Sequence, residues 1–309
     1  RAGRKLREFS YVFQNDAFNS PDMTVLSEHI TLGGLVQLAH QKEPQSTIWA
    51  PRADGTLVGF TYEKEQQVLG WHRHTLGGYY DADHLVRAKV ESASCIPAPD
   101  ISRDETWLIV NRYINGNTRR YVEYMNKAWE RGDLQSDAYF VDCGLSLSND
   151  IGQTLIPHTG ATVKGSTGVL FEAGGSVFVA GDVGRYIHYD YVDENGLQIR
   201  ASALITGYTS ITDVTATILS PWPTLNLITS GNWRMSVTTV SGLWHLEGQT
   251  VSVFADGATH PNATVVNGSI TLTYPASKIS IGLGYESDGQ NLRIDAGARD
   301  GTTQGKIRR

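Results

Sequence analysis

Polar and apolar positions alternate with a period of two along much of the chain, in short runs that end at turn residues, the pattern of half-buried β-strands. Residues 46–52 predict a strand, Ala53-Asp54-Gly55 a turn, 57–62 the return strand, and 68–74 a third strand closed by Gly77-Gly78. Residues 86–96 follow as a further strand, stopped by Pro97 and Pro99, which cannot donate to a ladder. The clearest hairpin joins 105–114 to 118–125 across Asn115-Gly116, the pair favoured where both central turn positions need positive φ. The spacing of these runs over 46–125 predicts antiparallel meanders, as in propeller blades or a sandwich. Helical character is confined to 23–29, with Asp22 placed to cap it, to 35–40, and to 124–132, ended by Gly132.

From about residue 145 charged residues thin out and Gly, Ser, Thr and Val dominate. Strands at 176–180, 186–192, 198–208 and 215–218 predict a compact β module ended by Pro221-Trp222-Pro223. Residues 241–255 predict a strand pair around Glu247-Gly248, and 265–272 a pair across Asn267-Gly268. The stretch 288–309 is polar and Gly-rich, expected as a tail or an arm that orders against a partner. The predicted fold is all-β: antiparallel meanders, partial-propeller or sandwich-like, with an inserted small β-barrel-like module. Its expected divisions are 1–145, 146–225, and 226–309 returning to the main domain.

Composition narrows the functional classes. The 309 residues are 40% apolar and 19% charged, which marks a globular chain. The net charge is −6, from 26 basic and 32 acidic residues, where a chain built to grip nucleic acid carries a strongly basic face. No apolar run approaches the roughly 18 residues of a membrane helix, so no membrane span is expected. The basic stretch Arg1 to Arg7 leads into no apolar segment, so no signal peptide is expected. Arg1 in place of Met points to a removed upstream piece or a start within a longer protein. Cys95 and Cys143 are too few for a disulfide scaffold and are expected as part-buried thiols.

Several short constellations invite a chemical reading. His72 and His74 share one face of a strand, as a metal pair would; the same spacing suits polar strand residues beside Trp71. Asp81-Ala82-Asp83-His84 could coordinate a hard cation through its carboxylates, yet it lacks the spaced acidic loop and distal Glu of a calcium hand. Gly165-Ser166-Thr167-Gly168 misses the spacing of a nucleophile elbow, and Gly181-Asp182-Val183-Gly184 lacks the βαβ context of a dinucleotide fingerprint. Glu63 and Glu65 fall in a turn; a glycosidase pair needs a fixed separation that sequence does not give. Asn262 and Asn267 fit the glycosylation sequon, read as coincidence without a secretion signal. Trp222, Trp233 and Trp244 suit either sugar-stacking platforms or the cores of small β modules. No catalytic, cofactor-binding or metal-ligating residue is assigned, and no enzyme activity is expected.

The stretch Ser46-Thr47-Ile48-Trp49-Ala50-Pro51-Arg52-Ala53-Asp54-Gly55-Thr56-Leu57-Val58-Gly59-Phe60-Thr61-Tyr62 and its continuation Glu65-Gln66-Gln67-Val68-Leu69-Gly70-Trp71-His72-Arg73-His74 resemble tail nozzle, or hub, proteins of phages and prophages. The hairpin Trp107-Leu108-Ile109-Val110-Asn111-Arg112 to Arg119-Arg120-Tyr121-Val122-Glu123 belongs to the same pattern. Asp182-Val183-Gly184-Arg185-Tyr186-Ile187, with Ile205, Ser210, Val214 and Ala216-Thr217-Ile218, is similar to the segment that such proteins share in fold with the first catalytic cysteine half-domain of ubiquitin-activating enzyme. That similarity concerns fold and carries no activating chemistry. The resemblance implies a non-catalytic virion component without cofactor or metal. It would form a ring, often hexameric and often propeller-containing, that continues the DNA channel below the portal. Implied partners are other copies of the chain, neighbouring tail or portal-adaptor proteins, and double-stranded DNA that passes without sequence-specific binding; assembly would take place in the bacterial cytoplasm. Two other classes remain open: a glycan-binding or glycan-cleaving tail protein, marked by exposed Trp platforms or facing carboxylates, and a bacterial surface adhesion module.

Overall fold

A computed structural model describes residues 3–130 and 132–289. It is all-β, 49% strand and 4% helix, with antiparallel sheets, one of them curled into a half-barrel. The only helical pieces among the described residues are four single 3-10 turns.

The chain opens with a short hairpin, β1 (Ser10–Val12) on β2 (Ala17–Asn19). A four-stranded sheet follows in chain order: β3 (Ala39–Gln41), β4 (Thr47–Pro51), β5 (Leu57–Glu63) and β6 (Val68–His74). β7 (Lys89–Pro97), β8 (Asp104–Ile114) and β9 (Asn117–Tyr124) form a three-stranded sheet. The two sheets pack face to face. Trp49 and Leu57 from one meet Val90, Ala93, Leu108 and Val110 from the other in a single buried cluster. Period-two alternation turns Ala50, Val58 and Phe60 to the opposite face. There Ala50 and Val58 pack with Ile30 and Leu35 of the N-terminal segment, so β5 is buried on both sides.

β10 (Asp142–Ser148) belongs to a sheet whose other strands come from the far end of the chain. Between them lies a six-stranded sheet built from β11 (Leu155–Pro157), β12 (Val169–Ala173), β13 (Tyr186–Val192), β14 (Gln198–Tyr208), β15 (Asp213–Ser220) and β16 (Trp233–Met235), in the order β11-β12-β15-β14-β13-β16. Phe171, Phe178, Ile187, Ile205, Ile218, Trp222 and Trp233 fill its core. The chain then returns through β17 (Val237–Ser241), β18 (Thr250–Ala255), β19 (Ala258–Thr264), β20 (Ser269–Ala276) and β21 (Lys278–Leu283). These give the sheets β10-β21-β18-β19 and β17-β20 around a third core of Leu243, Leu246, Val251, Val265, Ile270 and Ile281. Ile114, from the end of β8, reaches into this core.

Several expectations are corrected. Residues 23–29 form successive turns closed by i to i+3 bonds (Ser27 N to Thr24 O, Ile30 N to Ser27 O), although Asp22 does cap them by accepting the Thr24 N–H at 2.9 Å. Residues 35–40 are extended, because Leu35 and Val36 donate to Gly3 and Pro51 and the run leads into β3. Past Tyr124 the chain is irregular. All three segments are too short to hold a helix by propensity alone, so tertiary backbone partners decide. Residues 176–180 make no strand; Val177 and Phe178 both donate to the Ile211 carbonyl. Residues 241–255 are no hairpin: β17 pairs with β20, and β18 with β19 and β21. Asn267-Gly268 is a tight turn, bridged by Val266 and Ser269, but β20 pairs with β17 and not with a strand across that turn. The inserted core extends beyond Pro221-Trp222-Pro223, and past residue 225, because Trp222 and Trp233 are interior side chains within it. Residues 290–309, most of the expected polar tail, lie outside the described residues. No helix among the described residues is long and apolar enough to cross a membrane.

Trp233 is fully buried and donates its indole N–H to the Gln153 carbonyl at 2.7 Å. Its replacement by Ala leaves a cavity and an unpaired carbonyl, so urea denaturation should show a loss of about 3–5 kcal/mol. An unchanged midpoint would contradict this packing.

Candidate functional site

The charged residues that decide the architecture lie at two seams between cores. Leu108, Val110, Arg112 and Ile114 share one face of β8, which places a guanidinium in an apolar row. Arg112 is fully buried; its Nε donates to the Gly77 carbonyl at 2.9 Å and its Nη1 to the Glu123 carboxylate on β9. Asp142 adds a carboxylate that accepts the Gly77 N–H at 2.7 Å. Burial raises the pKa of Glu123 and of Asp142, in both cases against the pull of Arg112. It also pushes the neighbouring Cys143 thiol up to about 12, leaving it without nucleophilic character. Cys95 is half-buried, also raised by burial, and unbridged.

The second seam lies on the outer face of the six-stranded sheet. Ile187, Tyr189 and Tyr191 point to the core, so His188 and Asp190 point away from it. Arg200 joins three parts of the chain: Asp190 Oδ1 at 2.9 Å, Asp256 Oδ1 at 3.2 Å in the β18–β19 turn, and Ser136 Oγ at 2.8 Å. Arg234 completes the group through the other Asp190 oxygen. Asp256 in turn accepts the backbone N–H groups of Ser277 and Lys278 at 2.9 and 3.0 Å. Asp190 stays below its ordinary value because two guanidinium groups outweigh its desolvation. Burial, with Arg200 and Arg234 adding to it, drives His188 down to about 4. None of these residues was singled out by sequence. The available signal was charge at positions whose alternation partners are apolar, as with Arg112.

The candidates from sequence are placed as follows. His72 and His74 do meet, with Nδ1 and Nε2 2.6 Å apart, edge-on to Trp49. Gly59 opposite leaves the room, since a Cβ there would lie 2.1 Å from the His72 ring. This is a hydrogen-bonded neutral pair; burial holds His72 low and takes His74 to about 4. Among the described residues no group of three or more His, Cys, Asp and Glu could hold a metal ion. Asp81 caps its own turn, accepting the N–H groups of Val86 and Leu85 at 2.8 and 3.2 Å, while His84 stacks on Tyr79. Glu63 accepts the Ser46 N–H at 3.1 Å, and Glu65 lies exposed beside it. The Gly165-Ser166 backbone is pinned to Ile218 at the end of β15. Asp182 closes the Val179–Arg185 turn, bonded to the Val179 N–H and the Arg185 guanidinium. Asn262 sits on edge strand β19 and Asn267 in a turn.

The three tryptophans separate. Trp222 and Trp233 are core residues, 2% and 0% exposed, whereas Trp244 is 68% exposed. A cluster of exposed aromatics occupies the N-terminal hairpin: Phe9 stacks on Phe18 at 4.7 Å, Tyr11 meets Phe18 edge-on, and Phe13 projects at the tip. On the three-stranded sheet, Ile109, Val122 and Tyr124 form a second exposed apolar face beside the free edge of β9.

No protein-family model matches the chain, and no curated protein matches it.

The two histidines driven furthest down, His74 and His188, set the main pH dependence. Below pH 6.5 the unfolded chain protonates His74 and His188, whereas the folded chain resists until about pH 4. Stability is therefore full above the ordinary histidine value and falls as pH drops from 6.5 towards 4, by about 2–3 kcal/mol for each residue. Urea midpoints measured between pH 7.5 and 4.5 should show this fall, and His74→Gln should flatten part of it. A midpoint independent of pH across that window would refute the assignment.

Proposed function

We propose that the chain is a structural, non-catalytic component of a phage tail, of the nozzle or hub type, that works as part of a ring around the DNA path. The observation that carries the reading is the N-terminal hairpin. Two three-residue strands are too little for an independently stable ribbon, yet this one holds Phe9, Tyr11, Phe13 and Phe18 in water. Such a surface is stabilised when another chain covers it. The free edge of β9, flanked by Val122 and Tyr124, adds a second place where a neighbouring chain could extend a sheet. Cyclic closure of identical copies would satisfy both repeatedly. The resemblance of residues 46–74, 107–123 and 182–218 to tail nozzle proteins supplies the biological setting: the virion tail, with portal-side and tail proteins as neighbours. An acidic balance suits a conduit that repels phosphate and lets DNA slide.

The test compares the natural chain with Phe9→Ser/Phe13→Ser/Phe18→Ser. Light scattering should give a closed oligomer for the first and a folded monomer, unchanged in circular dichroism, for the second; electron microscopy of purified particles should place the protein in the tail. A natural chain that stays monomeric and is missing from particles would overturn the assignment. Tight duplex binding that weakens steeply with salt would overturn the repelling conduit.

A further inference from the structure

Trp244 is held out in water by its neighbours. The 3-10 turn Trp244–Leu246 is anchored by Leu243 and Leu246, both buried in the C-terminal core, which leaves the intervening indole outside. One ring face lies flat on Gly268, where a Cβ would come within 2.5 Å of the ring atoms. Glu247 clamps the turn beneath, accepting the Asn267 and Gly268 N–H groups at 3.0 and 2.7 Å. The result is a preorganised flat aromatic surface with its other face open.

This surface forms one wall of a groove of about 380 Å3, whose opposite wall is the tip of the β8–β9 hairpin with Asn115, Arg119 and Tyr121. The volume lies at the lower end of the ligand-pocket range. Charge at the groove is limited to one unpaired cation. Arg120 is bound to Glu91 at 2.6 Å and Arg112 to Glu123, whereas Arg119 forms no ion pair among the described residues. The Tyr121 hydroxyl reaches the His245 carbonyl at 3.5 Å and spans the two walls.

We propose that this groove binds an acidic sugar, a pyranose bearing one carboxylate, of the uronic acid type. The open indole face carries the negative side of the ring quadrupole, which attracts the weakly positive C–H bonds on one face of a pyranose. Arg119 presents a planar fork that matches a single carboxylate. A polyphosphate backbone would need several free cations along its path, and the groove has one. The site does not use the aromatic hairpin; it shares strand β9 with the proposed sheet edge, but Arg119 and Tyr121 lie on the face opposite Val122 and Tyr124.

Saturation-transfer NMR on the full chain tests it, with tetragalacturonate as the probe, maltotetraose as the neutral comparison and the dinucleotide pTpT as the phosphate comparison. Transfer should reach the ring C–H protons of tetragalacturonate and be lost in Trp244→Ala. Arg119→Ala should weaken tetragalacturonate at least ten-fold and leave maltotetraose, if it binds at all, unchanged; Arg120→Ala should change neither by more than two-fold. Both exposed-residue variants should keep the natural melting temperature. Should Trp244→Ala melt earlier, Arg119→Ala alone decides. The proposal falls if tetragalacturonate gives no transfer, if it binds Arg119→Ala as well as the natural chain, or if pTpT binds more tightly. A ring that assembles normally without binding the uronate would remove this site and leave the proposed function standing.

Discussion

An arginine in a buried apolar row has to be answered, because an unpaired guanidinium in a low-dielectric interior is far costlier than a lost methyl group. In this chain Arg112 is answered from two directions, by the Gly77 carbonyl, which lies between β6 and β7, and by Glu123 on its own hairpin partner. Those bonds fix where the β6–β7 connection crosses the hairpin. Gly77 and Gly78 make that crossing geometrically possible: a Cβ at Gly77 would lie 2.8 Å from the Leu283 carbonyl, and one at Gly78 2.7 Å from the Leu283 side chain. The last strand, β21, thereby comes to rest against the first half of the molecule.

The Arg200 seam applies the same logic at the other boundary. Three apolar cores meet across two sets of charges, and charged contacts tolerate little variation in angle. Oily seams would permit sliding; forked guanidinium groups on carboxylates and backbone carbonyls define one orientation. Buried ion pairs of this kind add modest net stability, so their contribution here is to geometry.

How much of this could be read from residues alone follows from the range of the interactions. β13 and β14 match the expected 186–192 and 198–208 residue for residue, because hairpin pairing and alternation are local signals. The Asn115-Gly116 hairpin was legible for the same reason, with positive φ at both positions. The expected helices failed where 35–40 found backbone partners far away in sequence, at Gly3 and Pro51. Pairing of β10 with β21, more than a hundred residues apart, leaves no local trace. Among the candidate residues, the adjacency of His72 and His74 was legible, since they share a strand face; their burial beside Trp49 was not. Trp222, Trp233 and Trp244 are indistinguishable as letters, and only the folded environment separates two interior rings from an exposed one.

The long hairpin β8–β9 has a bearing on how the molecule comes apart. Leu108 and Val110 belong to the core between the first two packed sheets, while Ile114, a few positions along the same strand, belongs to the C-terminal core. A strand rigidly shared in this way couples the melting of the two bodies: loosening either one releases β8 and strips side chains from the other. The six-stranded insert, whose core is drawn from the continuous stretch between Leu155 and Met235, has no such shared strand. On heating, the first and last parts of the chain therefore form one cooperative unit and the insert a second, so the boundaries of cooperativity follow the shared hairpin and not the order of the chain.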